Sequence, residues 1–223
     1  MSAPRQLVIV GAGEFAQIAC EYFQHDSHYT VAAFSVERAF LLQPTVAGLP
    51  VVAYEELEQC YPPQDYAVFV AIPATQLNRL RTRFFQDLVR RGYRCATYVS
   101  SRAFVWHNAQ IGANCFIFEG NVVQPFTRIG DNCVLWSGNH IGHRTVVQDH
   151  VFIASHAVIS GYCQIGQGSF IGVNATLSDK MRIAADNIIG AGALVTRHTE
   201  AGRVYVGSPA RAVAGRSSFD VEL

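Results

Sequence analysis

Five of the eight histidines crowd into one stretch of the chain, as His107, His140, His143, His150 and His156. An imidazole titrates near pH 6.5 (about), so around neutrality it can take a proton from a nucleophile and hand it on. It is also a common metal ligand, and His107 and His143 stand 36 residues apart. A surface imidazole is more often bland than catalytic, so spacing has to decide between them. A second chemical signal lies at the start of the chain. The apolar run Gln6–Val10 leads at once into Gly11-Ala12-Gly13, and Phe15, Ile18, Ala19 and Tyr22 follow at helical spacing. A strand, a Gly turn and a helix start form a phosphate cradle, because free N–H groups at a helix N-terminus favour anions. The six cysteines, at 20, 60, 95, 115, 133 and 163, make no Cys-x-x-Cys pair. They read as reduced thiols rather than a disulfide or zinc framework.

The elements that position the histidines come from a six-residue repeat. From Val99 to Val195 every sixth residue is Val, Ile or Leu, at seventeen positions without an insertion. Neither the helical nor the strand period produces such a run. Two positions earlier sits a mostly small set that includes Ala109, Cys115, Thr127, Cys133, Ala157 and Cys163. Directly after the aliphatic residue Gly recurs, at 112, 130, 142, 166, 172 and 190. A large inward residue, a small inward residue and a permissive corner describe one face of a prism-shaped β-helix. Three faces make a coil of 18 residues, so residues 18 apart stack. Cys115, Cys133 and Cys163 fall on the small inward track and read as packing residues. Burying each aliphatic side chain contributes about 1.5–3 kcal/mol before entropy, enough in sum for a firm core.

Length and charge bound the rest. The chain has 223 residues, with 17 basic and 17 acidic side chains. That balance argues against binding nucleic acid, whose phosphates are held by an excess of Lys and Arg. Half the residues are hydrophobic and 15% are charged, so a sizeable core is expected. No apolar run approaches the roughly 18 residues of a membrane span. Gly11 interrupts the first run too early for a signal peptide, which points to the cytoplasm. In the first half, Thr30–Phe34 and Tyr66–Ala71 read as further strands, and Leu77, Leu80, Phe84 and Leu88 mark a helix that Gly92 can end. The expected organisation is an α/β Rossmann-like domain over residues 1–95, a parallel β-helix over 96–200 and a tail over 201–223.

The tandem hexapeptides over residues 96–211 resemble the left-handed parallel β-helix of the hexapeptide acyltransferases, and Val206-Gly207-Ser208-Pro209-Ala210-Arg211 is similar to that family's closing segment. With a truncated Rossmann-like module in front, the whole resembles the bacterial sugar acyltransferases that make bacillosamine and perosamine, the sialic acid O-acetyltransferase-like group. The resemblance implies a homotrimer with acetyl-CoA in a groove between subunits, no metal, and a nucleotide-linked amino sugar (UDP-, dTDP- or GDP-) as acceptor. It implies transfer of an acetyl group to an amine, C4 of a deoxy sugar, for surface glycan synthesis. His143, two after Ile141, occupies the slot of the family's general base. Gly161, 18 residues on, matches the position whose amide faces the acetyl carbonyl. Phe152, Val173 and Ala191 match positions lining the CoA groove, contacted largely through backbone, and Arg211 a position near a CoA phosphate. Gly11, Gly13, Phe15, Ser35, Ala71 and Ile72 fall where the nucleotide sugar is held. Glu119, Asn139, His140 and His156 are candidates to border the acceptor pocket.

Three features depart from the pattern. The family often has His where Phe15 stands, Asp where Ser35 and Val36 stand, and an acidic residue where Arg144 follows the base. An Arg cannot accept the second imidazole N–H, so the orienting acceptor is a backbone carbonyl, Asn139 or Glu119. Three other readings keep the fold. One is an O-acetyltransferase acting on a sugar hydroxyl, and another a non-catalytic nucleotide-sugar-binding trimer. The third is a zinc enzyme of the γ-carbonic-anhydrase type using His107 and His143, in which Gln148 occupies the place of the remaining His.

Overall fold

The computed structural model describes residues 5–223. The chain forms two compact units, one of residues 5–73 and 81–98, the other of residues 74–80 and 99–223.

In the first unit the apolar run becomes strand β1 (Gln6–Val10), and the Gly turn leads into helix α1 (Glu14–His25). Phe15, Ala16, Ala19, Cys20 and Phe23 form the buried stripe of that helix. Then come β2 (Thr30–Val36), β3 (Thr45–Val46), β4 (Leu49–Ala53), the short α2 (Leu57–Cys60), β5 (Tyr66–Val70), α3 (Arg79–Arg90) and β6 (Arg94–Cys95). The sheet runs β3-β4-β2-β1-β5-β6 and is parallel except for the β3–β4 hairpin. That hairpin turns through Ala47 and Gly48, both at positive φ, as a two-residue hairpin loop matched to strand twist requires. Chain order reverses at β1, which has β2 on one side and β5 on the other. The carboxyl ends of strands at such a switch point are where open α/β sheets bind ligands.

The helical spacing from Leu77 overshoots the observed helix by one step. Gln76, Leu77 and Asn78 all have positive φ, so α3 starts only at Arg79. Tertiary burial overrides the local period there. Leu77 packs with Ile188 and Val204 in the second unit, and the Asn78 side-chain amide donates to the Gly168 carbonyl at 3.2 Å.

The second unit is a left-handed parallel β-helix. Each coil contributes a two-residue strand to each of three faces. The first face includes Phe116–Ile117, Val134–Leu135, Phe152–Ile153, Phe170–Ile171 and Ile188–Ile189. The second runs through Phe104–Val105, Val122–Val123, His140–Ile141, Val158–Ile159, Thr176–Leu177 and Leu194–Val195. The third runs through Gln110–Ile111, Arg128–Ile129, Val146–Val147, Gln164–Ile165 and Arg182–Ile183. Pairing partners lie 18 residues apart, as in Val123 with Ile141 and Ile141 with Ile159. The aliphatic ladder forms one continuous core, buried from Ile117 onward and half-buried at Val99, Val105 and Ile111.

The small inward track does more than leave room. Cys115, Cys133 and Cys163 direct their thiols at the carbonyls of Gly130, Gln148 and Ser178, at 3.0, 3.2 and 3.2 Å. Thr127 and Thr145 donate in the same way to Gly142 and Ser160. Each short donor therefore satisfies a corner carbonyl of the following coil. Burial pushes the Cys163 thiol above its ordinary range, so it stays protonated and inert.

The segment expected as a tail extends the first face instead. Arg203–Val206 pairs parallel with the Ile188–Ile189 strand, and Arg211–Ser217 folds back antiparallel on it. These strands cover the last hydrogen-bonding edge of that face.

Candidate active site

The corner between the second and third faces carries His143. Successive coils place Gln124-Pro125-Phe126, Gly142-His143-Arg144 and Ser160-Gly161-Tyr162 there, one above the next. The His143 ring lies directly over Gly161. A Cβ on Gly161 would come within 2.6 Å of imidazole Cε1 and 2.9 Å of Nε2, so only glycine lets the ring rest there. The Gly161 N–H makes no hydrogen bond among the described residues, which leaves a donor beside the ring. Tyr162 meets the imidazole edge-on, with ring centres 5.1 Å apart. Both His143 and its neighbour Arg144 are exposed.

The side chain that bonds His143 is none of those expected from the sequence. Gln124 Oε1 accepts the His143 backbone N–H at 2.9 Å and lies 3.3 Å from ring Nδ1. Arg144 turns away and lays its guanidinium over the Phe126 ring, 4.4 Å from the centroid. Asn139 is buried and fully used, donating to the Trp136 carbonyl and accepting the Ala157 N–H at 2.8 Å. Glu119 sits on another corner, where it accepts the Ser137 hydroxyl at 2.6 Å.

That other corner, between the first and second faces, stacks Glu119, Ser137, Ser155, Val173 and Ala191 at 18-residue intervals. Val173 and Ala191 are exposed neighbours on it, joined through the Gly192 N–H to the Val173 carbonyl at 2.8 Å. His156 lies on the same corner, with its ring over Gly138. His140 points outward from the second face, paired with Val122 and Val158. The β-helix thus brings His143 to Gly161 and Val173 to Ala191, but keeps the two pairs on different corners of one prism.

Phe152 offers a groove its backbone rather than its ring. Its side chain is 7% exposed and stacks on Phe170 with ring centres 5.4 Å apart. Arg211 is exposed, and its guanidinium donates to the Ala210 carbonyl. His150 is buried and bonds Asn132 within a side-chain ladder, Asn114–Asn132–His150. Among the described residues no group of three or more His, Cys, Asp or Glu side chains gathers into a metal site.

In the first unit, three candidate residues converge at the carboxyl ends of β1, β2 and β5. Gly11 has φ +118°, and a Cβ there would strike the Ala71 carbonyl oxygen at 2.7 Å. The Gly11 N–H donates to the Ser35 carbonyl, and the Ala71 N–H to the Val10 carbonyl, both at 2.8 Å. Ser35 is fully buried, and its hydroxyl has no hydrogen-bond partner among the described residues. Gly13 opens α1, and Ile72 is half-buried. Phe15 is a core residue with its edge to Phe69, which leaves only its backbone for a ligand. Ala12, Gly13, Val36, Phe40, Leu42 and Val51 help line an adjoining cavity of about 310 Å³.

Comparison with known proteins agrees with this architecture. Residues 108–143 and 126–161 match the family of bacterial transferase hexapeptide repeats. The perosamine N-acetyltransferase PerB from Caulobacter crescentus, solved with CoA and GDP-perosamine, is 25% identical over 94% of this chain and 97% of its own, with a TM-score of 0.84. The acetyltransferase domain of PglB from Neisseria gonorrhoeae FA1090 shares the fold at 24% identity and a TM-score of 0.85, over 94% of this chain and 100% of its own. WeeI from Acinetobacter baumannii AYE aligns at 24% identity and a TM-score of 0.62, over 93% of this chain and 99% of its own. No curated protein matches by sequence. No helix among the described residues is long and apolar enough to cross a membrane. By its repeats and its two-part fold, the chain is similar to the bacterial hexapeptide transferases and is built like the perosamine N-acetyltransferase PerB.

Proposed function

We propose that the protein transfers an acetyl group from acetyl-CoA to the amino group, at C4, of a nucleotide-linked deoxy amino sugar. The observation that carries this reading is the His143 imidazole resting over Gly161, whose N–H is unengaged. The sugar amine attacks the thioester carbonyl, forming the C–N bond. Its proton passes to the imidazole, and the C–S bond breaks to release CoA thiol, which takes a proton in turn. The Gly161 N–H donates to the oxyanion as the tetrahedral intermediate forms. PerB, at 25% identity, was solved with CoA and GDP-perosamine, which supports this pair of substrate classes.

The nucleotide is held by the first unit, where Gly11, Ser35 and Ala71 meet at the switch point. Acetyl-CoA is held along the β-helix, against the exposed corner of Val173 and Ala191. Because one chain keeps that corner apart from His143, a neighbouring subunit completes the groove, and the working form is a homotrimer in the cytoplasm. The test is release of CoA thiol from acetyl-CoA with UDP-, dTDP- and GDP-linked 4-amino sugars, for wild type and His143→Ala. Turnover on one sugar, lost in the variant, is the expected result. Turnover that survives in the variant removes His143 from the mechanism. Turnover only on sugars presenting a hydroxyl overturns N-acetylation.

A further inference from the structure

We infer that Gln124 holds His143 in the tautomer protonated on Nδ1, leaving the Nε2 lone pair free as the basic atom. A backbone N–H can only donate, so the Gln124 side-chain atom that receives the His143 N–H at 2.9 Å is the carbonyl oxygen, Oε1. The same oxygen lies 3.3 Å from ring Nδ1. An oxygen with no proton of its own makes a hydrogen bond to Nδ1 only if that nitrogen carries the hydrogen. The backbone therefore fixes the amide orientation, and the amide fixes the tautomer. The opposite edge of the ring, with Nε2 and Cε1, lies over Gly161.

Gln124 is a positioning residue: it acts through His143. A neutral amide sets the tautomer without stabilising the imidazolium as a carboxylate would. The other ionisable residues of this corner are His107, Arg144, Tyr162, the inward Cys163, Asp179, Lys180, Arg197 and His198. Of these, Arg144 is drawn off onto Phe126 and Tyr162 meets the ring only by its edge. None of them is seen to accept from Nδ1, so the assignment rests on one oxygen.

This inference rests on the proposed role of His143, yet its test is separable from activity. Nitrogen-15 NMR of the full-length protein reads whether Nδ1 or Nε2 of His143 bears the proton, with His143→Asn identifying the signal. The expected result is a protonated Nδ1 in wild type and a shift toward protonated Nε2 in Gln124→Leu. A protonated Nε2 in wild type, or an unchanged pattern in Gln124→Leu, overturns it. Gln124→Glu keeps both acceptor contacts and adds a charge. It should raise the imidazole titration midpoint, and with it the acid limb of kcat/KM, by about half a pH unit or more. This variant also decides the matter if the leucine variant does not fold, since an unmoved midpoint would overturn the inference. On the accepted sugar, Gln124→Leu should lower kcat roughly tenfold with KM for acetyl-CoA little changed. If wild type transfers no acetyl group, the functional reading fails, while the NMR result still decides for or against Gln124.

Discussion

Two corners of the β-helix each carry an exposed histidine lying over a glycine of a neighbouring coil. His143 covers Gly161 in the coil that follows, and His156 covers Gly138 in the coil before. The resemblance ends there. His143 is bonded by Gln124 at both its backbone N–H and its ring, and the glycine beneath it has an unengaged N–H. At the other corner the Gly138 N–H is spent on the Glu119 carbonyl, at 3.0 Å, and Gly138 holds φ at +78°. A histidine over a glycine is thus a product of stacking. Chemistry needs in addition an oriented ring nitrogen and a donor left over, and only the His143 corner has both.

Substitutions can break this comparison in order of size. His143→Ala should lower kcat by about 10²–10⁴-fold while the β-helix stays folded, because it removes the proton acceptor and no core contact. Steady-state rates beside a circular dichroism spectrum check both halves. Next comes Ile159→Ala, in the strand of the second face that lies between the two corners. It empties a fully buried site and should cost about 2–5 kcal/mol in denaturant unfolding, whichever corner is catalytic.

Gly161→Ala should cut kcat roughly tenfold or more, since its Cβ would meet the His143 ring at 2.6 Å and push it off station. An unchanged kcat would mean that the ring need not rest there. Gly138→Ala should instead cost about 1 kcal/mol or more in stability, through a side chain forced into positive φ, and leave kcat within twofold. A matched pair of glycine variants thereby separates a catalytic corner from a structural one.

The β-helix was legible because one physical demand recurs without interruption. Each face needs one large and one small inward residue, and the seventeen aliphatic positions record it. The same period pairs His143 with Gly161 and Val173 with Ala191. It could not show Gln124, whose bond to His143 spans 19 residues rather than one coil of 18. A glutamine at a strand end also looks like any solvated side chain. The usable signal was geometric: once coils of 18 are known, residues 124–126 must lie beside His143. The residue type and slot of Phe152 likewise do not show that its ring joins an aromatic stack with Phe170. The first unit was legible as strand, turn and helix, but not in its details. Three positive-φ residues delay α3, and they are sustained by burial of Leu77 and Asn78 in the second unit, which no local pattern records.

The most direct test of the central claim is CoA-thiol release by His143→Ala and His156→Ala, assayed side by side on the sugar that wild type accepts. The expected result is a loss of about a hundredfold or more for His143→Ala and a change within about threefold for His156→Ala. Near-wild-type turnover by His143→Ala, with activity lost in His156→Ala, would move the chemistry to the other corner and contradict it.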